Sequence, residues 1–284
     1  MFSSMHLIEL QWMQALQVIR NPFLDTIMRC LNYLDSMPFY TLLVVTICFA
    51  YDQKIGFRLL FLAVLSWFIN QDCKMFFKEP RPIHLEPSLG LAYASSFGFP
   101  SGAAQTFLVY LGFISLTLKK KWVWITSISL TLLVSFSRVY LGLHFPSDIL
   151  GGWIVGTALL TTYWLTLPKL EPFLKKQSHL VLILLSLAMT IFLWVLALTP
   201  QIGLIAITLF GVSVGCIFTT CLKNPKHVKE KIIRSSIALI GVALIGLIRF
   251  ITKDILELIS PLCIFTSGFW FTYGVNLLCR KLKL

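Results

Sequence analysis

The chain has 284 residues, of which 57% are hydrophobic and only 13% charged, and its mean hydropathy is +0.82. A water-soluble domain carries about 25% charged residues, so this composition excludes a globule facing water on all sides. The net charge of +12 would suit nucleic acid, but the basic residues stand in short stretches between apolar segments, where they set membrane topology instead.

The first element, from about Ser4 to Ile19, places Leu7, Ile8, Trp12, Leu16 and Ile19 on one helical side and reads as an interfacial helix. Nine candidate spans follow, at about 36–51, 56–77, 101–118, 122–142, 147–167, 179–198, 201–222, 233–251 and 257–279. The first is the shortest, and its start reaches back toward Asn21–Tyr33. Asn21-Pro22, Pro168, Pro200 and Asn224-Pro225 fall at the joints, where helices stop or start. The expected class is all-α, a polytopic membrane bundle of about nine spans. Its expected organisation is an amphipathic region over 1–35, a core over 36–167 and a four-helix membrane extension over 168–284. The N-terminus lacks the basic start and small-residue cleavage site of a signal peptide. Seven cysteines without paired ligand spacing read as small hydrophobes.

Charge decides the orientation. Alternate loops hold Lys54 and Arg58; Lys119, Lys120 and Lys121; Lys169, Lys175 and Lys176; Lys223, Lys226, Lys229, Lys231 and Arg234; and Arg280, Lys281 and Lys283. These are 16 of the 24 Lys and Arg residues. The positive-inside rule makes that side cytoplasmic, with the C-terminus on it and the N-terminus outside. The opposite side holds the loop from Lys78 to Pro100, the corner at His144, the uncharged turn Leu198–Ile202 and a turn of mixed charge near Lys253 and Asp254.

Three polar clusters interrupt the apolar pattern, all on the extracytoplasmic side: Lys74 to Arg81-Pro82, Pro100-Ser101-Gly102-Ala103, and Ser137-Arg138 to His144 and Asp148. Lys74 and Arg81 are seven residues apart, about two helical turns, so both can face one cavity although Pro80 bends the chain. Arg138 adds a third cation. Three cations meeting where spans end make an anion site, and the guanidinium forks suit phosphate oxygens. Pro100-Ser101-Gly102 opens a helix whose free N–H groups and dipole also favour phosphate. A carboxylate at Asp148 that holds one ring nitrogen of His144 leaves the other free to attack. Together these groups describe phosphoryl transfer through a histidine nucleophile, with no metal or cofactor needed.

In order, spacing and place, Lys74-x6-Arg81-Pro82, Pro100-Ser101-Gly102 and Ser137-Arg138-x5-His144-x3-Asp148 resemble the three motifs of the type 2 phosphatidic acid phosphatase superfamily. The resemblance implies that Lys74, Arg81 and Arg138 bind phosphate with Ser101 and the amide of Gly102. It also implies that His144 forms a phosphohistidine, oriented by Asp148, which water then hydrolyses. Nine spans and an outward N-terminus are similar to the glucose-6-phosphatase branch as well, on architecture and the stretch Gly56–Lys74. The expected partner is a phosphorylated lipid met within the membrane. A sugar-phosphate phosphatase and a non-catalytic binder or transporter are the alternatives, and transfer to a second lipid instead of water stays open, as does the oligomeric state.

One position departs from the pattern. The family has a histidine after Pro-Ser-Gly, the general acid that protonates the leaving oxygen; this chain has Ala103. That acid is worth about 10²–10⁴-fold. No replacement is legible in the sequence: His84 lies in the adjoining loop, but nothing puts it at the leaving group. Because the rest of the site is intact, an engineered alanine is favoured over a native one, with severely reduced turnover and phosphate binding largely kept.

Singly, each residue has a plainer explanation. Cations at span ends snorkel, a lone histidine is usually structural, and Pro-Ser-Gly is merely a helix start. The joint spacing carries the argument. Asn70, one turn before Lys74, is as well explained by a helix-end polar role as by support of the site.

Overall fold

A computed structural model describes residues 3–252 and 259–284. The turn expected near Lys253 and Asp254 lies outside the described residues. Every regular element among those described is helical, as lipid demands of long apolar windows, because a helix satisfies its own backbone groups. In chain order the longer ones are α1 (Ser3–Leu16), α2 (Pro22–Tyr33), α3 (Met37–Thr46, continued by the π-turn Ile47–Tyr51), α4 (Gln53–Phe77), α5 (Gly102–Leu118), α6 (Lys121–Tyr140), α7 (Pro146–Lys175), α8 (His179–Leu196), α9 (Pro200–Phe218) and α10 (Val228–Thr252). The last, α11, runs over Ile259–Phe269, the π-turn Trp270–Gly274 and Val275–Lys281.

Local chemistry sets the starts. Asn21 caps α2 by accepting from Leu24 N–H, with Pro22 at the first helical position. Ser101 caps α5, and Thr199 with Pro200 opens α9 in the same manner.

The span count differs from nine. Seven helices among the described residues are long and apolar enough to cross a membrane: α4 with the turn reaching Leu85, then α6 to α11. Helices α2 and α3 pass that test only together, as a bent pair, and α5, at 17 residues, is shorter than the rest. The apolar window at 101–118 contains that short helix because Ser101 caps one end while Lys119, in left-handed conformation (φ 53°), stops the other.

The chain packs as two compact units, Met1–Tyr40 with Ile69–Leu165, and Thr41–Phe68 with Thr166–Leu284. All three motifs lie in the first. There α1 turns Leu7, Ile8 and Trp12 outward. Its other side carries His6, Glu9 and Met13, all buried. Met13 packs with Leu89 and Phe145, and the His6 ring stacks on Phe145 at 4.1 Å. Helix α7 closes on α5 at Gly152, where an added Cβ would stand 2.6 Å from the Ser101 carbonyl oxygen.

In the second unit α9 packs between α8 and α11. Small residues permit the approach: a Cβ on Gly211 would lie 2.2 Å from the Phe265 carbonyl oxygen. Arg234, buried there, donates to the Lys223 carbonyl at 2.8 Å and pairs with Glu230.

Candidate active site

Four helix ends of the first unit build the site. Lys74 comes from the last turn of α4, Ser101 and Gly102 from the start of α5, Arg138 from the last turn of α6, and Asp148 from the first turn of α7. Arg81 and His144 stand on the connecting segments. Lys74, Arg81, Ser101, Arg138, His144 and Asp148 are all buried. Uncompensated burial of so many charges is costly, and each charge has partners.

Lys74 Nζ donates to the carbonyls of Phe97 at 2.7 Å and Gly98 at 3.1 Å. Arg81 donates through Nε to the Ser96 carbonyl at 2.5 Å and through its two terminal nitrogens to Ser96 Oγ and the Leu143 carbonyl, both at 2.8 Å. The 78–100 loop is thereby tied to the cations it covers. Asn70 supports the second motif: its Nδ2 donates to the Pro100 carbonyl at 3.3 Å and to Gln105 Oε1 at 2.9 Å.

The central contact lies between Arg81 and His144. An Arg81 terminal nitrogen is 3.1 Å from His144 Nε2. A guanidinium can only donate, so Nε2 carries the lone pair and the proton resides on Nδ1. Nδ1 in turn faces Asp148 Oδ2 at 3.2 Å. The same carboxylate oxygen accepts from Phe145 N–H at 2.9 Å, and Ser101 N–H donates to the Asp148 carbonyl at 2.9 Å. Burial, followed by the charges of Arg81, Lys74 and Arg138, holds the imidazole pKa well below its ordinary 6.5. The ring is therefore neutral at physiological pH, with its unprotonated Nε2 facing Arg81.

Arg138 is held by residues the sequence reading had not singled out. It forms an ion pair with Asp35 at 2.9 Å and donates to Asn32 Oδ1, while its buried Nε has no hydrogen-bond partner. Glu9, also outside the motifs, is bonded to Ser147 beside Asp148. The available signal was a carboxylate at the edge of an apolar segment, which is costly unless paired. Asp25, Asp35 and Glu9 all show it, but only the fold says which of them reaches the site.

Position 103 is separate from this polar network. Ala103 is buried and belongs with Phe107 and Val134 to an apolar cluster. His84 is engaged away from position 103. It accepts from Arg81 N–H at 3.4 Å, closing its own short turn.

Residues 55–172 match the model of the PAP2 superfamily, a stretch that contains every motif residue. Phosphatidylglycerophosphatase B of Bacillus subtilis is 35% identical over 162 residues, 51% of this chain and 76% of that protein. The chain belongs to the PAP2 superfamily. Undecaprenyl-diphosphatase of Sulfolobus acidocaldarius is 33% identical over 38% of this chain, and that match spans about half of the relative, 53% of its length. Lipid A 4'-phosphatase of Bacteroides thetaiotaomicron is 27% identical over 151 residues. The PAP2 fold is seen in the crystal structure of a transmembrane phosphatidylglycerolphosphate phosphatase from Bacillus subtilis. It superposes with a TM-score of 0.51 at 28% identity, over 58% of this chain and 87% of that one.

Proposed function

We propose that this PAP2 protein is an integral membrane lipid-phosphate phosphatase that hydrolyses a phosphomonoester or diphosphate through a phosphohistidine at His144. One observation carries the reading: His144 Nε2 faces Arg81 at 3.1 Å while Nδ1 faces Asp148 at 3.2 Å. That is a neutral nucleophile oriented by a carboxylate, set against a cation that can accompany the phosphoryl group.

In this mechanism Lys74, Arg81 and Arg138 take up the phosphate oxygens, helped by the first N–H groups of α5 after Ser101, which have no carbonyl of their own helix to serve. His144 Nε2 attacks phosphorus and the lipid oxygen leaves. The Nδ1 proton stays on the imidazole, steadied by Asp148. Water then displaces Nε2 and frees inorganic phosphate. Ala103 contributes no proton to the leaving oxygen, and a site that relied on position 103 would turn over about 10²–10⁴ times more slowly.

A lipid substrate is supported by the names of the three relatives, each a phosphatase of a lipid. No observation favours a sugar phosphate. The lysine and arginine distribution supports an extracytoplasmic site and a cytoplasmic C-terminus.

The test is phosphate release by the purified chain in detergent from phosphatidylglycerophosphate, phosphatidic acid and undecaprenyl diphosphate, with an acid-labile phosphohistidine trapped at early times. His144→Ala should abolish both. Release that survives the substitution would defeat the nucleophile assignment. Lipid binding without release from any substrate would favour a binding or transport role.

A further inference from the structure

The first unit brings a carboxylate to the phosphate site from outside the three motifs. Asp35 stands in the turn between α2 and α3, and one of its oxygens, Oδ2, pairs with Arg138 at 2.9 Å. The other, Oδ1, accepts from the Tyr40 hydroxyl at 2.5 Å. Lys74 and Arg81 also lie within electrostatic reach of Asp35. Asp148 acts on the same cations, but it is fully buried and committed to His144. Asp35 instead keeps 26% of its side chain exposed.

Its surroundings meet the gap at position 103. Leu31, Leu34, Phe39 and Tyr40, chain neighbours of Asp35 on both sides, pack onto the cluster of Ala103, Phe107 and Val134. The turn that carries Asp35 thus covers the place where the superfamily pattern has its acid.

We propose that Asp35, held against Arg138 by the α2–α3 turn and oriented by Tyr40, is the proton donor to the leaving oxygen in this site. The proposal rests on the phosphatase reading above. In the resting site Arg138 occupies Oδ2. An incoming phosphate competes for that guanidinium and frees Oδ2, which takes the proton that a phosphate monoanion brings with it. Attack by His144 Nε2 forms the N–P bond and breaks the P–O bond. The electron pair leaves on the lipid oxygen, which takes the proton from Oδ2. Asp35, now a carboxylate, then accepts a proton from the water that attacks phosphorus. The N–P bond breaks, its electron pair returns to Nε2, phosphate departs and Asp35 is protonated again. On this account the alanine at 103 is compensated, as a native alanine would need to be.

The experiment compares an alkyl leaving group with a good one, using dioleoyl phosphatidic acid and p-nitrophenyl phosphate with the full chain in detergent. An alkoxide needs the proton and nitrophenolate needs it far less. Asp35→Asn should lower kcat on phosphatidic acid by about 100-fold more than on p-nitrophenyl phosphate, and Asp35→Glu should recover part of the difference. Ala103→His in the otherwise unchanged chain should gain less than about tenfold. Equal losses on both substrates would reduce Asp35 to a clamp on Arg138 and overturn the proposal, as would a gain of about 100-fold from Ala103→His. Should Asp35→Asn fail to fold, the unsubstituted chain decides: a shallow dependence of kcat on leaving-group pKa across substituted phenyl phosphates supports the donor, and a steep one overturns it. Absence of release from every substrate by the unsubstituted chain would sink the phosphatase reading and this proposal together. Release by the unsubstituted chain, with Asp35→Asn losing equally on both substrates, sinks the proposal alone.

Discussion

Glu9 accepts two hydrogen bonds from Ser147, one from its backbone N–H at 2.7 Å and one from its hydroxyl at 2.9 Å, across 138 residues of sequence. Ser147 stands between His144 and Asp148 in the first turn of α7, where N–H groups have no intrahelical partner. A buried carboxylate from α1 therefore anchors the corner that carries His144 and Asp148.

Replacing it should be felt at a distance. Hydrogen bonds to a charged group contribute about 1.5–3 kcal/mol, so Glu9→Ala is expected to lower the melting temperature and reduce kcat by about tenfold or more. Glu9→Gln, which keeps an acceptor oxygen, should lose less. Thermal unfolding in detergent, run beside phosphate release, checks both.

Asp148 fixes the His144 tautomer. Asp148→Asn should leave phosphate affinity nearly unchanged and lower kcat by about 10³–10⁴-fold, as loss of the orienting carboxylate does in other histidine-based sites. A steady-state separation of kcat from KM reads this directly. A loss confined to KM would move Asp148 from the imidazole to the phosphate.

The pH dependence follows from the depressed pKa of His144. In the proposed mechanism the neutral ring attacks, so the acid limb of kcat/KM that belongs to His144 should lie below the ordinary 6.5. Burial is the first cause, with Arg81, Lys74 and Arg138 adding to it and Asp148 facing the ring from the other nitrogen. Arg81→Gln removes one of those charges and should move the limb upward, toward 6.5. For stability the sign is the same. Between the folded-state pKa and 6.5 the unfolded chain binds the proton and the folded chain does not, so this group's contribution is full above 6.5 and declines as pH falls through that window. Titrating the ring by NMR with histidine labelling tests both statements.

Helix packing at the site is equally open to test. A Cβ at Gly152 would stand 2.6 Å from the Ser101 carbonyl, against backbone that cannot swing aside. Gly152→Val should therefore push α7 from α5 and cost more than tenfold in activity, while Gly246→Ala, at a position with nothing within 4 Å of the added Cβ, should leave activity unchanged. Parallel assays of the two variants in one detergent make the comparison.

The sequence by itself determined the membrane class, the helix positions and the three motifs, because those are local properties. Apolar runs must be helical in lipid, proline and capping residues mark their ends, and the spacing of Lys74, Arg81, Arg138, His144 and Asp148 sets them at helix ends or on the segments that join them. Three features were decided by tertiary structure alone. The inward side of α1 is one, since burial of Glu9 and His6 depends on Ser147 and Phe145, which are remote in sequence. The short α5 and the bent pair α2–α3 are another: hydropathy measures how apolar a stretch is, not where a cap or a turn interrupts it. The third is the seating of Asp35 on Arg138, two residues 103 positions apart that only a fold can join. An ion pair of that kind leaves no periodic trace in the sequence, because its energy comes from charges brought together through space in a site of low dielectric.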